Sequence, residues 1–172
     1  MPVVRDVGLH RAAGVDGATM KNERACEPIW VDDGDKRACL QIYWGARLPL
    51  ESNPLYADAV LELRGEGRCV VQVTNLFSTD GMRLMRRLLK TTLARAIELG
   101  ATDIVAVVSP RHARNYASLY FEDMLPDDPP RMWDWAWDRD GVFLKTRLIR
   151  LDITAVPPAI LALWSAAQSA EV

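Results

Sequence analysis

Val70-Val71-Gln72-Val73-Thr74-Asn75-Leu76-Phe77, running into Ser78-Thr79-Asp80-Gly81, opens the stretch that decides the fold. The first eight residues are rich in β-branched side chains and too short for a buried helix, so they predict a strand. Three residues of N-cap type follow, and then an apolar period of three and four runs from Met82 to Leu99. Gly100 supplies the C-terminal stop. Asp103-Ile104-Val105-Ala106-Val107-Val108-Ser109 is apolar at consecutive positions, the pattern of a strand covered on both faces. Strand, amphipathic helix and buried strand in succession make a right-handed βαβ unit with parallel strands. Pro110 ends the second strand, and a further short helix is expected over Arg111 to Phe121.

The long helix divides by face. Met82, Met85, Leu88, Leu89, Leu93, Ala96 and Ile97 share one side, and burial of the larger of these is worth roughly 1.5–3 kcal/mol each. Arg83, Arg86, Arg87 and Lys90 form a stripe on the other side with no acid among them. Like charges at this spacing cost about 0.2–0.5 kcal/mol per pair in an isolated helix. Two readings stay open: a solvated face, or a docking site for a phosphate-bearing cofactor or an acidic partner.

Working outward, Pro28 to Val31 and Arg37 to Trp44 flank Asp32-Asp33-Gly34-Asp35, a hairpin signal. Asn53 as N-cap and Pro54 at the first position predict a helix carrying Leu55, Tyr56, Ala59, Val60 and Leu63, ended by Gly65 or Gly67. Before Ala25 periodicity is weak, with Val3, Val4 and Val7 as a candidate edge strand. Beyond Phe121 comes an acidic, proline-bearing loop to Pro130. Met132 to Asp138 alternates large and polar residues, as a strand or lid with Trp133, Trp135 and Trp137 on one side. Val142 to Ile153 alternates as another strand, and Pro157-Pro158 opens a last helix whose Ile160, Leu161, Leu163 and Trp164 dock on the body. The expectation is a weakly structured segment over 1–24 and one domain over 25–172.

At 172 residues and 49% hydrophobic, the chain suits one domain with a core. A formal net charge of −2 excludes a strongly basic nucleic-acid binder. No apolar run reaches the length of a membrane span. Cys26, Cys39 and Cys69 are odd in number, far apart and without a signal-peptide pattern, which implies reduced thiols in a cytoplasmic protein. With only His10 and His112 available, no zinc site is expected. Ser109 and His112 stand three apart without a third triad member, so a hydrolase is not indicated.

Several short blocks, in order, resemble the FeeM-like N-acyl amino acid synthases. They are Arg47-Leu48-Pro49-Leu50-Glu51, Leu63-Arg64-Gly65-Glu66-Gly67-Arg68, the strand Val70 to Leu76, and Ser109-Pro110-Arg111-His112-Ala113-Arg114-Asn115-Tyr116. The last is similar to that group's proline–x–histidine–x–x–x–tyrosine pattern. These synthases are a branch of the GNAT superfamily near the acyl-homoserine-lactone synthases. The likeness covers about Ala25 to Ile153 and implies a GNAT-like mixed α/β sheet with two splayed parallel strands.

The resemblance further implies transfer of a fatty acyl group from an acyl carrier protein thioester to the amine of an amino acid. The acyl-phosphopantetheine arm would lie between the splayed strands, on unpaired backbone N–H groups. Its candidate catalytic residues are Gln72, Asn75, His112 and Tyr116. Tyr116 holds the place of an acid for the leaving thiol, and a structural tyrosine is the competing reading. Leu76, Phe77 and Ser78, with Arg83, Arg86, Arg87 and Lys90, are the candidate donor-binding residues. Two departures stand out. Related enzymes carry glutamate where Gln72 stands, and glutamine cannot accept a proton. The turn before the long helix lacks the glycine-rich coenzyme A loop, and Asp80 would repel a diphosphate there. Two alternatives follow: an acyltransferase using coenzyme A, and a binding module that has lost catalysis.

Overall fold

A computed structural model describes residues 25–137 and 143–169, and the side-chain surroundings of all of these except 82, 133–137, 143–144 and 165–169. The candidate strand at Val3 to Val7 lies outside the described residues. The elements are β1 (Ala25–Asp33), β2 (Lys36–Trp44), α1 (Ala57–Gly65), β3 (Val70–Ser78), α2 (Gly81–Glu98), β4 (Asp103–Val108) and α3 (Pro110–Ala117). They continue as β5 (Glu122–Asp123), β6 (Arg131–Trp137), β7 (Phe143–Asp152) and α4 (Pro158–Ser169), with 3-10 turns at Pro49–Ser52 and Ile153–Ala155. The sheet order is β1-β2-β3-β4-β7-β5, with β6 also paired to β7. β3 and β4 are parallel and every other pair is antiparallel. The sheet is built on the βαβ unit that the central stretch predicts and has the mixed GNAT-like form that the resemblance implies.

Alternation along the strands sends two apolar layers to opposite faces. On one face Leu84, Leu88, Leu93 and Ala96 of α2 pack on Leu40, Ile42, Val71, Val73 and Ile104. On the other, Leu48, Leu50, Tyr56, Val60 and Leu63 cover Val70, Val105 and Leu148. The hairpin closes through Gly34, whose φ of +66° is the left-handed conformation its two-residue loop requires. Gly100, at φ +71°, ends α2 and donates to Ile97 O at 2.9 Å.

Two helix boundaries and two buried helix faces differ from expectation. α1 starts at Ala57, not Pro54: Asn53 is held extended before the proline, and its Oδ1 accepts from Leu55 N at 2.8 Å. α3 stops at Ala117, because Tyr120 turns the chain at φ +64° so that Phe121 enters the core and β5 pairs with β7. The buried face of α2 includes Leu84 and excludes Ile97, which is 46% exposed at the far end. On α4, Ile160, Leu161 and Trp164 pack on the core while Leu163 faces out. β6 is a strand rather than a lid, and the facing of its three tryptophans lies outside the described side chains.

Candidate active site

The site begins where β3 and β4 part. Their ladder runs from Val70 opposite Asp103 to Val73 opposite Ala106 and then ends. Beyond it β3 stays with β2 instead, Phe77 opposite Cys39 and Ser78 opposite Ala38, after a register shift between Cys39 and Gln41. Asn75, at φ +54°, takes the extra residue of that bulge. Asparagine tolerates this conformation where most side chains do not. A bulge bends its strand, and here the bend takes Thr74 to Ser78 away from Val107 and Val108. The β4-facing edge of Leu76, Phe77 and Ser78 therefore has no ladder partner among the described strands.

A small cavity of about 50 Å³ fills the opening. Thr74, Asn75 and Leu76 line it from β3, Val107 and Val108 from β4, and Tyr116, Leu89 and Phe121 from the α2 face. Tyr116 is buried, edge-on to Phe121 with ring centroids 5.5 Å apart, and its hydroxyl points to Met85 Sδ at 3.8 Å. Burial pushes its pKa up to about 12, so the phenol is a proton-bearing donor at any ordinary pH. Thr74 Oγ1 is buried without a hydrogen-bond partner. On the far side of the sheet, Gln41 Oε1 accepts from Asn75 Nδ2 at 2.6 Å and from the Tyr43 hydroxyl at 3.0 Å. The opening thus has a donor-bearing wall on the α2 face and a polar amide–phenol group on the other.

The structure brings Asn75, Leu76 and Tyr116 together at the opening but not Gln72 or His112. Gln72 points to the α1 face, where its Oε1 accepts from Leu50 N at 2.8 Å and pins the Pro49–Ser52 turn to β3. His112 is exposed in the first turn of α3, where its backbone N–H reaches the N-cap Ser109 Oγ at 3.3 Å. No carboxylate or imidazole lines the opening among the described residues. Thr74 and Gln41 escape the sequence reading. Their placement depends on a bulge and on where two distant strands separate, and no local spacing signals either.

The basic stripe divides in two. Asp33, at the end of β1, forms an ion pair with Arg83 and lies 3.8 Å from Arg87. That supplies the acid the stripe itself lacks. Arg86 and Lys90 face a larger cavity beside α4. Asp80 is also compensated: Lys36 Nζ lies 2.6 Å from it, and that hydrogen bond holds the carboxyl below the usual range while raising the lysine. The expected repulsion of a diphosphate at the start of α2 is offset to that extent.

The fold has counterparts among known proteins. No curated protein matches the chain. Among solved structures, FeeM, an N-acyl amino acid synthase from uncultured soil microbes, superposes with a TM-score of 0.57 at 17% identity, covering 83% of this chain and 82% of that one. Two coenzyme-A-dependent acyl-homoserine lactone synthases are more distant. BjaI, with MTA, has a TM-score of 0.43 at 11% identity over 80% of this chain and 66% of its own. MesI has 0.43 at 14%, over 83% and 69%. The family model described as N-acyl amino acid synthase FeeM matches residues 37–132, from the second hairpin strand through the parted pair and α3 to β6. With more than half its length inside that match, the chain belongs to the FeeM family of N-acyl amino acid synthases and is an acyltransferase.

Proposed function

We propose that the protein moves a fatty acyl group from the phosphopantetheine thioester of an acyl carrier protein to the amine of an amino acid or similar small amine. One observation carries this reading: the unpaired edge of β3 faces a buried phenol across an opening through the sheet. The pantetheine arm would bond to the free backbone groups of Leu76 to Ser78, which also offer N–H donors to the thioester oxygen. The acceptor would enter from the Gln41 and Asn75 side. Its nitrogen attacks the thioester carbonyl carbon, the carbon–sulfur bond breaks, and an amide forms.

The departing sulfur needs a proton or a strong donor, and Tyr116 supports that role. A phenol held near 12 is too weak an acid to give up its proton early. It serves better as a hydrogen-bond donor that stabilises the thiolate as charge develops. Among the described residues no carboxylate lines the opening, so the ammonium proton leaves to solvent before attack, and the second proton, shed by nitrogen as the amide forms, passes to the departing thiolate.

Purified protein incubated with acyl carrier protein thioester, or with acyl-coenzyme A, and a panel of amino acids should yield an N-acyl amide detectable by mass spectrometry. Product from the carrier thioester alone supports the donor proposed, and product from coenzyme A alone transfers the reading to that donor. If neither donor gives an amide, the proposal is wrong. Tyr116→Phe should lower kcat about 10²–10³-fold with little change in KM, and unchanged turnover would remove Tyr116 from the mechanism.

A further inference from the structure

Between α2, the turn after α3, and α4 lies a second cavity of about 430 Å³, within the usual size range of ligand pockets, about 300–1,000 Å³. Leu89, Leu93, Ile104 and Leu151 form its buried inner wall, and Trp164 of α4 closes it from outside. Tyr120, at its left-handed turn, stands edge-on to Trp164 with centroids 5.9 Å apart. Arg86 and Lys90, one turn apart on α2, complete the lining. Among the described residues neither forms an ion pair, whereas Arg83 and Arg87 on the same helix share Asp33.

An apolar chamber with two uncompensated cations complements one kind of molecule, a chain with a single negative head. A wholly neutral ligand would gain nothing from the cations, and a small hydrophilic anion nothing from the leucines. The tail of an acyl thioester reaching in from the β3–β4 opening ends in a methyl group and would likewise ignore Arg86 and Lys90. We propose that this cavity binds a single-chain anionic amphiphile, its tail against Leu89, Leu93 and Trp164 and its carboxylate between Arg86 and Lys90. Leu89 and Phe121 border both cavities, so an occupant touches the wall that also positions Tyr116. Binding itself does not depend on acyl transfer.

Titration calorimetry with decanoate and decanol separates head from tail. Decanoate should bind the wild type at least about tenfold more tightly than decanol, the effect of roughly 1.4 kcal/mol from two charge contacts. Arg86→Gln with Lys90→Gln should reduce decanoate to the level of decanol, leave decanol unchanged, and leave the melting temperature near wild type. Ser118→Trp, at the exposed rim of the cavity, should block both ligands. Equal affinity for the two ligands, decanoate binding untouched by the double substitution, or binding untouched by Ser118→Trp would each overturn the proposal. So would no binding at all. Decanoate binding by a protein that makes no amide product would leave this site standing while the acyl-transfer reading falls.

Discussion

Thr74 holds a buried hydroxyl with no partner, an arrangement that costs about 1–3 kcal/mol unless something bonds to it. Because it lines the opening between β3 and β4, the bond it lacks is one a substrate can make. Thr74→Val keeps the shape and removes the orphan. The expected outcome is a thermal midpoint unchanged or raised, by up to about 1 kcal/mol in stability, together with slower amide formation. A more stable and fully active variant would make Thr74 packing alone. The same opening has no carboxylate or imidazole among the described residues, and Tyr116 stays protonated up to about pH 12. The rate should therefore rise with pH, about tenfold per unit, until the acceptor amine is itself neutral. A plateau beginning well below the amine's own pKa would point to a base elsewhere. Gln72→Glu is expected to bring no gain in rate. That side chain is buried, bonded to Leu50 N and turned away from the opening, so a carboxylate there is desolvated without reaching the amine. At the opening, Tyr116 and Asn75 were named from the sequence, through the family resemblance that Ser109 to Tyr116 and the Val70 to Leu76 strand carry. The positions of Thr74 and Gln41 follow from long-range pairing.

At the scale of elements, legibility follows from how local the cause is. The βαβ unit could be read because strand length, helical period and the Gly100 stop are all written within forty residues. The start of α1 was misplaced because Asn53 and Pro54 serve an extended turn as well as they serve a helix N-terminus. The pairing of β5 with β7 was hidden because a two-residue strand has no period. One tie between elements joins the start of β4 to the ends of its neighbours. Asp103 is fully buried, and burial alone would favour its neutral acid. Arg68 at 2.6 and 2.9 Å, Thr102 at 2.6 Å and Arg150 at 2.7 Å outweigh that and hold its carboxyl below the usual range. Asp152 is lowered as well: against its own burial, Thr154 and Arg68 hold the charged form. Both groups bind protons less readily folded than unfolded. The stability they contribute is thus complete above the unfolded carboxylate range near pH 4 and is lost as pH falls through it toward their lowered values. Asp103→Ala should cost about 1.5–3 kcal/mol at neutral pH, since Arg68 and Arg150 lose a fully buried charged partner and keep Asp152 as the acid they share, and should flatten the acid limb of a stability–pH curve. An unaltered limb would assign acid sensitivity to other groups.

For the whole molecule, the question is how the carrier-protein donor proposed above would find the opening. α2 starts directly after the freed end of β3, so Arg83 in its first turn stands beside the place where a pantetheine arm would enter. Arg83 is largely exposed, and its partner Asp33 sits on the tip of the β1–β2 hairpin. Exposed pairs of this kind are worth only about 0.2–1 kcal/mol and weaken with salt. An acidic carrier surface can therefore exchange with Asp33 for the same arginine at little cost. Two opposite results follow from that competition. Arg83→Glu should weaken binding of the acylated carrier and slow its association, more at low salt than at high. Asp33→Ala should strengthen binding, because it releases Arg83 from its acid without touching the opening. A mere change of net charge predicts the same two signs, so Asp58→Ala, an equal change made on α1 and on the other face of the sheet, serves as the control. Asp33→Ala tighter than both wild type and Asp58→Ala places the carrier on this corner of α2, and Asp33→Ala no tighter than the control places it elsewhere.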